Sequence, residues 1–555
     1  MSGIHSGLSR LTVTIGRISS GLEYAGWRQN NKGVDGRDLT ETLRQGAELY
    51  KAGRVAEAEA LYRQVLAFAP QHPDALQLLG LVAQAAGNDA AALDLIGQAL
   101  AARPDLPFAH YNLARIHHRN RSFALAEEHY RLAVGGQPDH AEAHNNLGGV
   151  LQAQGRSREA LASYRQALAL QPDYPEAWSN LGAALQDAGK AVEALDAYDH
   201  ALRLKPDYVD ALHNRGEALQ DLGQMEEAVA AYRQALALHP TYAEAHWGLA
   251  LALLHNGALR EGFAEYEWRR RRPQYASEVR DFPGEAWDGG DPSGKTVLLH
   301  SEQGLGDTLQ FARYAPLLAA RGATVTLEVQ PALRRLLASV LGVDAVLARG
   351  DPYGAFDCHA SLLSLPHLIG TELETIPAAV PYVAPPSKLI RWWRRRLGPR
   401  DRLRVGLAWA ANPRGETARA RRTVPPVELS PLARVPGVAW FSLQKGAAAP
   451  TSELPLDAWD LSHEIDDFAD TAAAICCLDL VVTVDTAVAH LAGALGRPVW
   501  VMLPFAAEWR WLLDREDSPW YPSMRLFRQP IWGDWRPVLE AVATQLATLA
   551  ASSGG

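Results

Sequence analysis

Two short stretches, each at the end of an apolar run, carry residue types suited to holding and attacking a charged substrate. The first is Ser301-Glu-Gln-Gly304-Leu-Gly306-Asp307-Thr308-Leu-Gln310, which follows the run Val297–His300. Gly304 and Gly306 permit a tight turn that brings backbone close to a ligand. Asp307 opens the helix that follows, where its carboxylate either caps that helix or faces a cleft as a general base. The loop lacks the third glycine of a dinucleotide-binding fingerprint, and no Gly-Lys-Ser/Thr follows to make it a phosphate-binding P-loop. The second stretch is Val481-Val-Thr-Val-Asp485-Thr486-Ala487-Val488-Ala489-His490-Leu-Ala492-Gly493. A strand ending at Asp485 and a helix of small residues beginning at Thr486 would point backbone N–H groups at an anion. His490 stands one turn beyond Thr486 and can face the same ligand, or it is a core histidine beside an N-cap aspartate.

A third polar turn lies between them. Trp409-Ala-Ala-Asn412-Pro413-Arg414 leads to Arg419-Ala-Arg421-Arg422. Arginine forks pair in bidentate fashion with phosphates, so Asn412, Arg414, Arg421 and Arg422 read as donor contacts or as a solvated loop. The run from Arg391 to Arg404 reads as an exposed linker helix. Tryptophans at Trp509, Trp511 and Trp520 either stack on a ring or fill the core.

Alternating elements would position these turns. Val297–His300, Thr324–Glu328 and Val343–Leu347 read as strands, with helices at Gln310–Ala320 and Pro331–Leu341 between them. The alternation lapses at Pro377–Pro386, resumes after an Arg/Trp-rich helix at Ser387–Leu397, and gives strands at Arg404–Trp409, Val438–Leu443, Leu480–Val484 and Val499–Leu503. This is a parallel α/β arrangement in two Rossmann-like lobes, 276–386 and 387–555, and such sheets bind ligands at the carboxyl ends of their strands.

The first half obeys a different rule. Prolines recur at Pro70, Pro104, Pro138, Pro172, Pro206 and Pro240. Small residues keep the same beat at Gly46, Gly80, Ala114, Gly148, Gly182, Gly216 and Ala250, alanines at Ala58 through Ala228, and large rings or apolar groups at Tyr62, Ile96, Tyr130, Tyr164, Tyr198, Tyr232 and Tyr266. A period of about 34 residues is that of the tetratricopeptide repeat (TPR), an α-solenoid of stacked helix pairs. Seven units fit between 39 and 275. Asn112, Asn146, Asn180 and Asn214 share one repeat position and form a ladder of amides. Such a row either grips an extended polypeptide backbone or bridges neighbouring repeats. His110, His144 and His246 share another position and read as ring packing between helices. The last unit, ending in Trp268-Arg-Arg-Arg-Arg-Pro273, reads as a cap that docks on the next domain.

Composition narrows the class. A 48% hydrophobic, 21% charged chain of net charge −9 has no basic signature for nucleic acid. Three cysteines, Cys358, Cys476 and Cys477, make no disulfide framework and fit a reducing cytoplasm. No stretch reads as a membrane span, and residues 1–38, rich in Gly and Ser, read as a disordered leader.

Together, Gly306-Asp307, Asn412 with the arginines, and Asp485-Thr486 with His490 resemble a GT-B glycosyltransferase, similar to the heptosyltransferase-like family 9, over roughly 290–530. The resemblance implies that Asp307 is the base and that Asp485, Thr486, Ala487 and His490 bind the nucleotide diphosphate of a sugar donor. That family's phosphate-binding lysine is absent here, which leaves Arg414, Arg421 or Arg422 to substitute. Repeats followed by two lobes also resemble bacterial TPR-containing flagellin glycosyltransferases, and the layout is similar to O-GlcNAc transferase. This resemblance implies a metal-independent transfer, with no cofactor beyond the nucleotide sugar, to a Ser or Thr of a protein in the solenoid groove. Inversion is expected because no second carboxylate stands out as a nucleophile. The competing expectations are a non-catalytic TPR adaptor and a transferase acting on lipid or polysaccharide.

Overall fold

The computed structural model describes residues 39–275, 280–411, 422–445 and 451–553. The chain divides into two compact units after Ala218. The leader at 1–38, together with Asn412, Arg414 and Arg421, lies outside the described residues.

From Leu39 to Tyr266 the described residues form fourteen helices in seven pairs. A first helix such as Pro107–Arg119 has 13 residues and its partner, Phe123–Gly136, has 14. In the unit ending at Ala218, the small-residue and aromatic positions meet as their spacing requires. A Cβ added at Gly182 would lie 2.6 Å from a ring carbon of Tyr198, and one at Gly148 would lie 2.7 Å from Tyr164. Only a bare backbone admits those rings, and Ala126, Ala160 and Ala194 beside them are fully buried. The turn inside each pair needs a left-handed residue. Gly53, Gly87, Gly155 and Gly189 supply it with φ of 75–78°, and Arg121 occupies the equivalent place at φ 59°.

The unit from Leu219 onward holds the helix Met225–Leu238, the last repeat and two parallel sheets. The first sheet has the order β1-β5-β2-β3-β4, built from β1 (Glu285–Ala286), β2 (Thr296–His300), β3 (Thr324–Val329), β4 (Ala345–Ala348) and β5 (Cys358–Ser361). The second runs β11-β10-β9-β6-β7-β8, with β6 (Leu403–Ala408), β7 (Val438–Ser442), β8 (Ala458–Asp460), β9 (Leu480–Val484), β10 (Val499–Leu503) and β11 (Met524–Arg528). Its central strands β6 and β9 are buried at every position, as a sheet covered on both faces demands.

Helices Ala243–His255 and Leu259–Tyr266 of the last repeat share a core with the first lobe. Phe263 meets Phe311 edge-on at 6.4 Å and Trp509 at 5.5 Å. Just beyond them, buried Arg269 donates to Glu302 and to Ser364. Burial opposes ionisation of Glu302, yet Arg269 and Arg270 hold its pKa down at about 2.

Several elements depart from the sequence reading. Strands β1, β5, β8 and β11 and the helix Arg536–Ser553 were not expected, because short strands such as Cys358-His-Ala-Ser carry little β-branched signal. The helix expected at Pro331–Leu341 is mainly one turn, Arg334–Leu337. The Arg/Trp helix is Ser387–Arg396, and it is not wholly an exposed linker: Trp393 is fully buried. Arg404 belongs to β6, where its side chain donates to the carbonyls of Gly398 and Pro399.

Candidate functional site

The carboxyl ends of β2 and β9 converge. After β2, Gly304 caps the helix Leu305–Phe311, and Asp307 Oδ2 accepts the Gly304 N–H at 2.9 Å. The N-cap is therefore Gly304 and not Asp307, which stands at the third helical position and reaches back to the cap's N–H. After β9, Asp485 leads to Thr486, the N-cap of helix Ala487–Ala494, whose Oγ1 lies 3.1 Å from Thr483 Oγ1. The two helices touch at a glycine. A Cβ at Gly306 would stand 2.9 Å from His490 Cδ2 and 3.7 Å from Ala487 Cα. Gly306 therefore serves close approach of the lobes.

His490 is buried at this junction. Its Nδ1 lies 3.0 Å from the Tyr521 hydroxyl, and its ring stacks on Trp511 at 5.5 Å. Burial, aided by the nearby Arg510 and Arg313 cations, pushes its pKa well below the usual histidine value, so the ring is neutral at pH 7.

Arg510 is the hub of the charged groups. Its side chain is 7% exposed and reaches from the second lobe into the first. Nη2 donates to Asp307 Oδ1 at 2.6 Å, Nε donates to Gln310 Oε1 at 2.5 Å, and Nη1 pairs with Glu508. Half-buried Glu508 also accepts the Arg510 backbone N–H at 3.2 Å. Burial pushes the Glu508 carboxyl up to about 7 against the pull of Arg510, and the Asp485 and Asp307 carboxylates push the same way. Asp485 is buried, with Arg422 Nη1 at 3.5 Å from its Oδ2. The junction thus contains three carboxylates, Asp307, Asp485 and Glu508. Chemically the cluster can hold or pass a proton at neutral pH, and it presents guanidiniums to an anion.

Of the sequence candidates, Gly304, Gly306, Asp307, Arg422, Asp485, Thr486, Ala487 and His490 come together here. Sequence reasoning passed over Glu508, Arg510, Gln310 and Tyr521. The one available signal was Glu508-Trp-Arg-Trp511, ionisable side chains interleaved with large apolar rings. Two more arginines tie the lobes. Arg313 Nη1 donates to the Trp520 carbonyl at 2.6 Å, and Arg335 Nη2 donates to Asp467 at 2.7 Å and Asp470 at 2.6 Å. Among the described residues, no group of three His, Cys, Asp or Glu side chains is placed to hold a metal ion, and no helix is long and apolar enough to cross a membrane.

In the unit ending at Ala218, two of the ladder asparagines, Asn146 and Asn180, bond to the preceding repeat. Asn180 Nδ2 donates to Asn145 Oδ1 at 3.0 Å, Asn145 Nδ2 donates to Asn146 Oδ1 at 3.3 Å, and Asn146 Nδ2 donates to the Tyr111 hydroxyl at 3.3 Å. Asn112 is fully buried, and among the described residues neither of its amide atoms has a hydrogen-bond partner. Asn214 is half-buried. The recurring rings are braces. His110, His144 and Trp178 each place a ring nitrogen 2.9–3.0 Å from the carbonyl of the proline that closes the preceding repeat, Pro104, Pro138 and Pro172. His246 does the same with Pro240 at 2.9 Å.

Comparison with known proteins identifies the repeats. Residues 150–189, 185–223 and 218–257 match the TPR repeat family, and residues 43–107 and 78–141 match a second description, Tetratricopeptide repeat. Protein FlbA of Caulobacter vibrioides (strain ATCC 19089 / CIP 103742 / CB 15) is 31% identical over 302 residues, which are 49% of this chain and 49% of FlbA. The chain thus spans about half the length of the curated relative it matches. Among solved structures, YrrB, described as a TPR protein with an unusual peptide-binding site, is 18% identical, with 33% of this chain and 95% of that one covered at a TM-score of 0.31. Pseudomonas aeruginosa pilF is 18% identical, with 37% and 94% covered at a TM-score of 0.35. Over residues 43–141 and 150–257, this chain is therefore built of tetratricopeptide repeats.

Proposed function

We propose that this chain is a glycosyltransferase of GT-B type that moves a sugar from a nucleotide-activated donor to a hydroxyl of a protein recruited by its repeats. The repeats themselves indicate a protein or peptide partner. One observation supports the catalytic half of the reading. Two parallel sheets bring the carboxyl ends of β2 and β9 together around Asp307, Arg510, Glu508 and Asp485. Ligands of such sheets bind at that edge.

The donor's phosphates sit toward the second lobe, where the helix beginning at Ala487 and the guanidinium of Arg422 stabilise the charge that builds on the leaving group. Arg414, Arg421 and Asn412, which lie outside the described residues, are proposed as further contacts to the same phosphates. Asp307 takes the proton of the acceptor hydroxyl. The acceptor oxygen bonds to the anomeric carbon as the carbon–oxygen bond to phosphate breaks, and this single displacement inverts the centre. A Ser or Thr of flagellin is the acceptor suggested by the layout of repeats followed by two lobes, and the cytoplasm is the compartment that three free cysteines fit.

A second reading, a TPR adaptor without catalysis, draws on the fact that both Asp307 oxygens are already engaged, by Arg510 and by the Gly304 N–H. Calorimetric titration with UDP, GDP, ADP and CMP separates the two. Micromolar binding of one nucleotide, followed by a mass increase on co-expressed acceptor protein, is the expected result. Absence of binding by all four favours the adaptor, and sugar found only on lipid or polysaccharide moves the acceptor away from protein.

A further inference from the structure

Two carboxylates from different lobes share one guanidinium. Asp307 has Oδ2 held by the Gly304 N–H, and among the described residues Arg510 is the partner of Oδ1. Glu508 accepts from the same guanidinium through Nη1. Asp485 is the third carboxylate, with Arg422 beside it. Among the described residues, these three carboxylates are held by two guanidiniums, Arg510 and Arg422. Glu508 is the member that the other two carboxylates both disfavour in its charged form.

We propose that Glu508 is a positioning residue that governs Asp307 through their shared Arg510. While Glu508 is neutral, the guanidinium belongs to Asp307 and its Oδ1 is blocked. When Glu508 ionises, it draws Arg510 toward itself, and Oδ1 becomes free to take the acceptor proton. The kinetic half of this inference rests on the glycosyl-transfer reading, whereas the electrostatic coupling is a property of the chain alone.

The surrounding groups leave Glu508 as the titrating member near neutrality. His490, from the helix after β9, is held neutral by burial and by the Arg510 and Arg313 charges. Tyr266, from the last repeat, is pushed above the usual tyrosine value by burial. Arg510 stays charged because, against burial, Glu508 and Asp307 both favour its cation. With burial pushing Glu508 up to about 7, the changeover falls in the neutral range. A simple helix cap at position 508 would account for the bond to the Arg510 N–H but would not couple to Asp307.

The test is an isotope-edited infrared titration of protein carrying glutamate labelled at its side-chain carboxyl, with Glu508 identified as the band lost in Glu508→Gln. We expect a midpoint near neutrality that falls by about one pH unit or more in Asp307→Asn, because Arg510 then belongs to Glu508 and one repelling charge is gone. Asn keeps an oxygen for the Gly304 N–H, and Glu508→Asp, which keeps a carboxylate, controls for folding. A midpoint that Asp307→Asn leaves unmoved, or no carboxyl titrating near neutrality, overturns the inference. Once a donor is identified, kcat should rise about ten-fold between pH 6 and pH 8 in the unaltered chain and stay at its low-pH value in Glu508→Gln. An unchanged pH limb in Glu508→Gln refutes the kinetic half. If no nucleotide binds, the transferase reading falls while the infrared result still decides the coupling.

Discussion

Replacing Arg510 by methionine should destabilise the unit from Leu219 onward, and the contacts of the guanidinium set the size of the loss. Three acceptors lose their donor: Asp307 Oδ1, Gln310 Oε1 and Glu508. Glu508 is relieved most easily. Arg510 is the strongest influence holding it toward the charged form, so in its absence the carboxyl keeps its proton through neutral pH. Asp307 has no such escape, although its side chain is 22% exposed and retains the Gly304 N–H. Breaking a buried ion pair costs about 3–5 kcal/mol, and this exposure places Arg510→Met near the lower end, at about 3. The stranded Gln310 oxygen accounts for about 1 kcal/mol of that. Adding Asp307→Asn to Arg510→Met removes the unpaired charge and should recover about 2 kcal/mol, a coupling that a double-mutant cycle measures directly. Urea unfolding followed by tryptophan fluorescence is a suitable assay. Of the sixteen tryptophans, only Trp27 and Trp178 precede residue 219, so the signal reports the right unit. If the double variant is no more stable than Arg510→Met alone, the shared-guanidinium account is wrong.

Three further outcomes are expected. Glu302→Gln should cost about 3 kcal/mol at pH 7, from a carboxyl held at about 2 rather than 4.5. Because that folded value is depressed, the stabilisation is complete above 4.5 and disappears as pH falls through 2, so acid unfolding curves of the variant and the parent should converge there. Gly306→Val should cost about 1–3 kcal/mol and lower the melting temperature, because a Cβ 2.9 Å from His490 Cδ2 meets a ring pinned by Tyr521 and Trp511. Gly354→Ala, where an added Cβ meets no described atom within 4 Å, is the control. Arg121→Gly should raise the stability of the unit ending at Ala218 by about 1 kcal/mol, because a left-handed residue at φ 59° is replaced by the glycine that other repeats carry there. A circular-dichroism melt that falls for Arg121→Gly would contradict this.

The solenoid was legible because its rules are local and repeated. Gly182 and Tyr198, or Gly148 and Tyr164, face each other at a fixed offset within one helix pair, so sequence spacing is already spatial spacing. The same periodicity could not decide what the polar positions were for. An amide recurring every 34 residues is equally well placed to hold a peptide or to reach the neighbouring repeat. The link from Asn180 to Asn146 runs through Asn145, a residue that is not itself on the ladder. The recurring rings had a simpler reason that needed coordinates: each ring nitrogen sits on a proline carbonyl six residues back, and Trp178 serves as well as histidine.

In the α/β half the strands that lead into Gly304 and Asp485 announced themselves as apolar runs, and the residues at their ends were found. Their partners were not, for a physical reason. Arg510 reaches Asp307 across 203 positions of sequence. Neither local propensity nor hydrophobic period constrains such a pair. What fixes it is electrostatic: a guanidinium drawn into an interior this dry must find carboxylates, and the carboxylates it finds must share it or take up a proton. Ionisable residues inside a tryptophan-rich segment, such as Glu508-Trp-Arg-Trp511, are therefore better candidates for a site than their lack of any recognised motif suggests, because their burial already requires a partner that the local sequence does not supply.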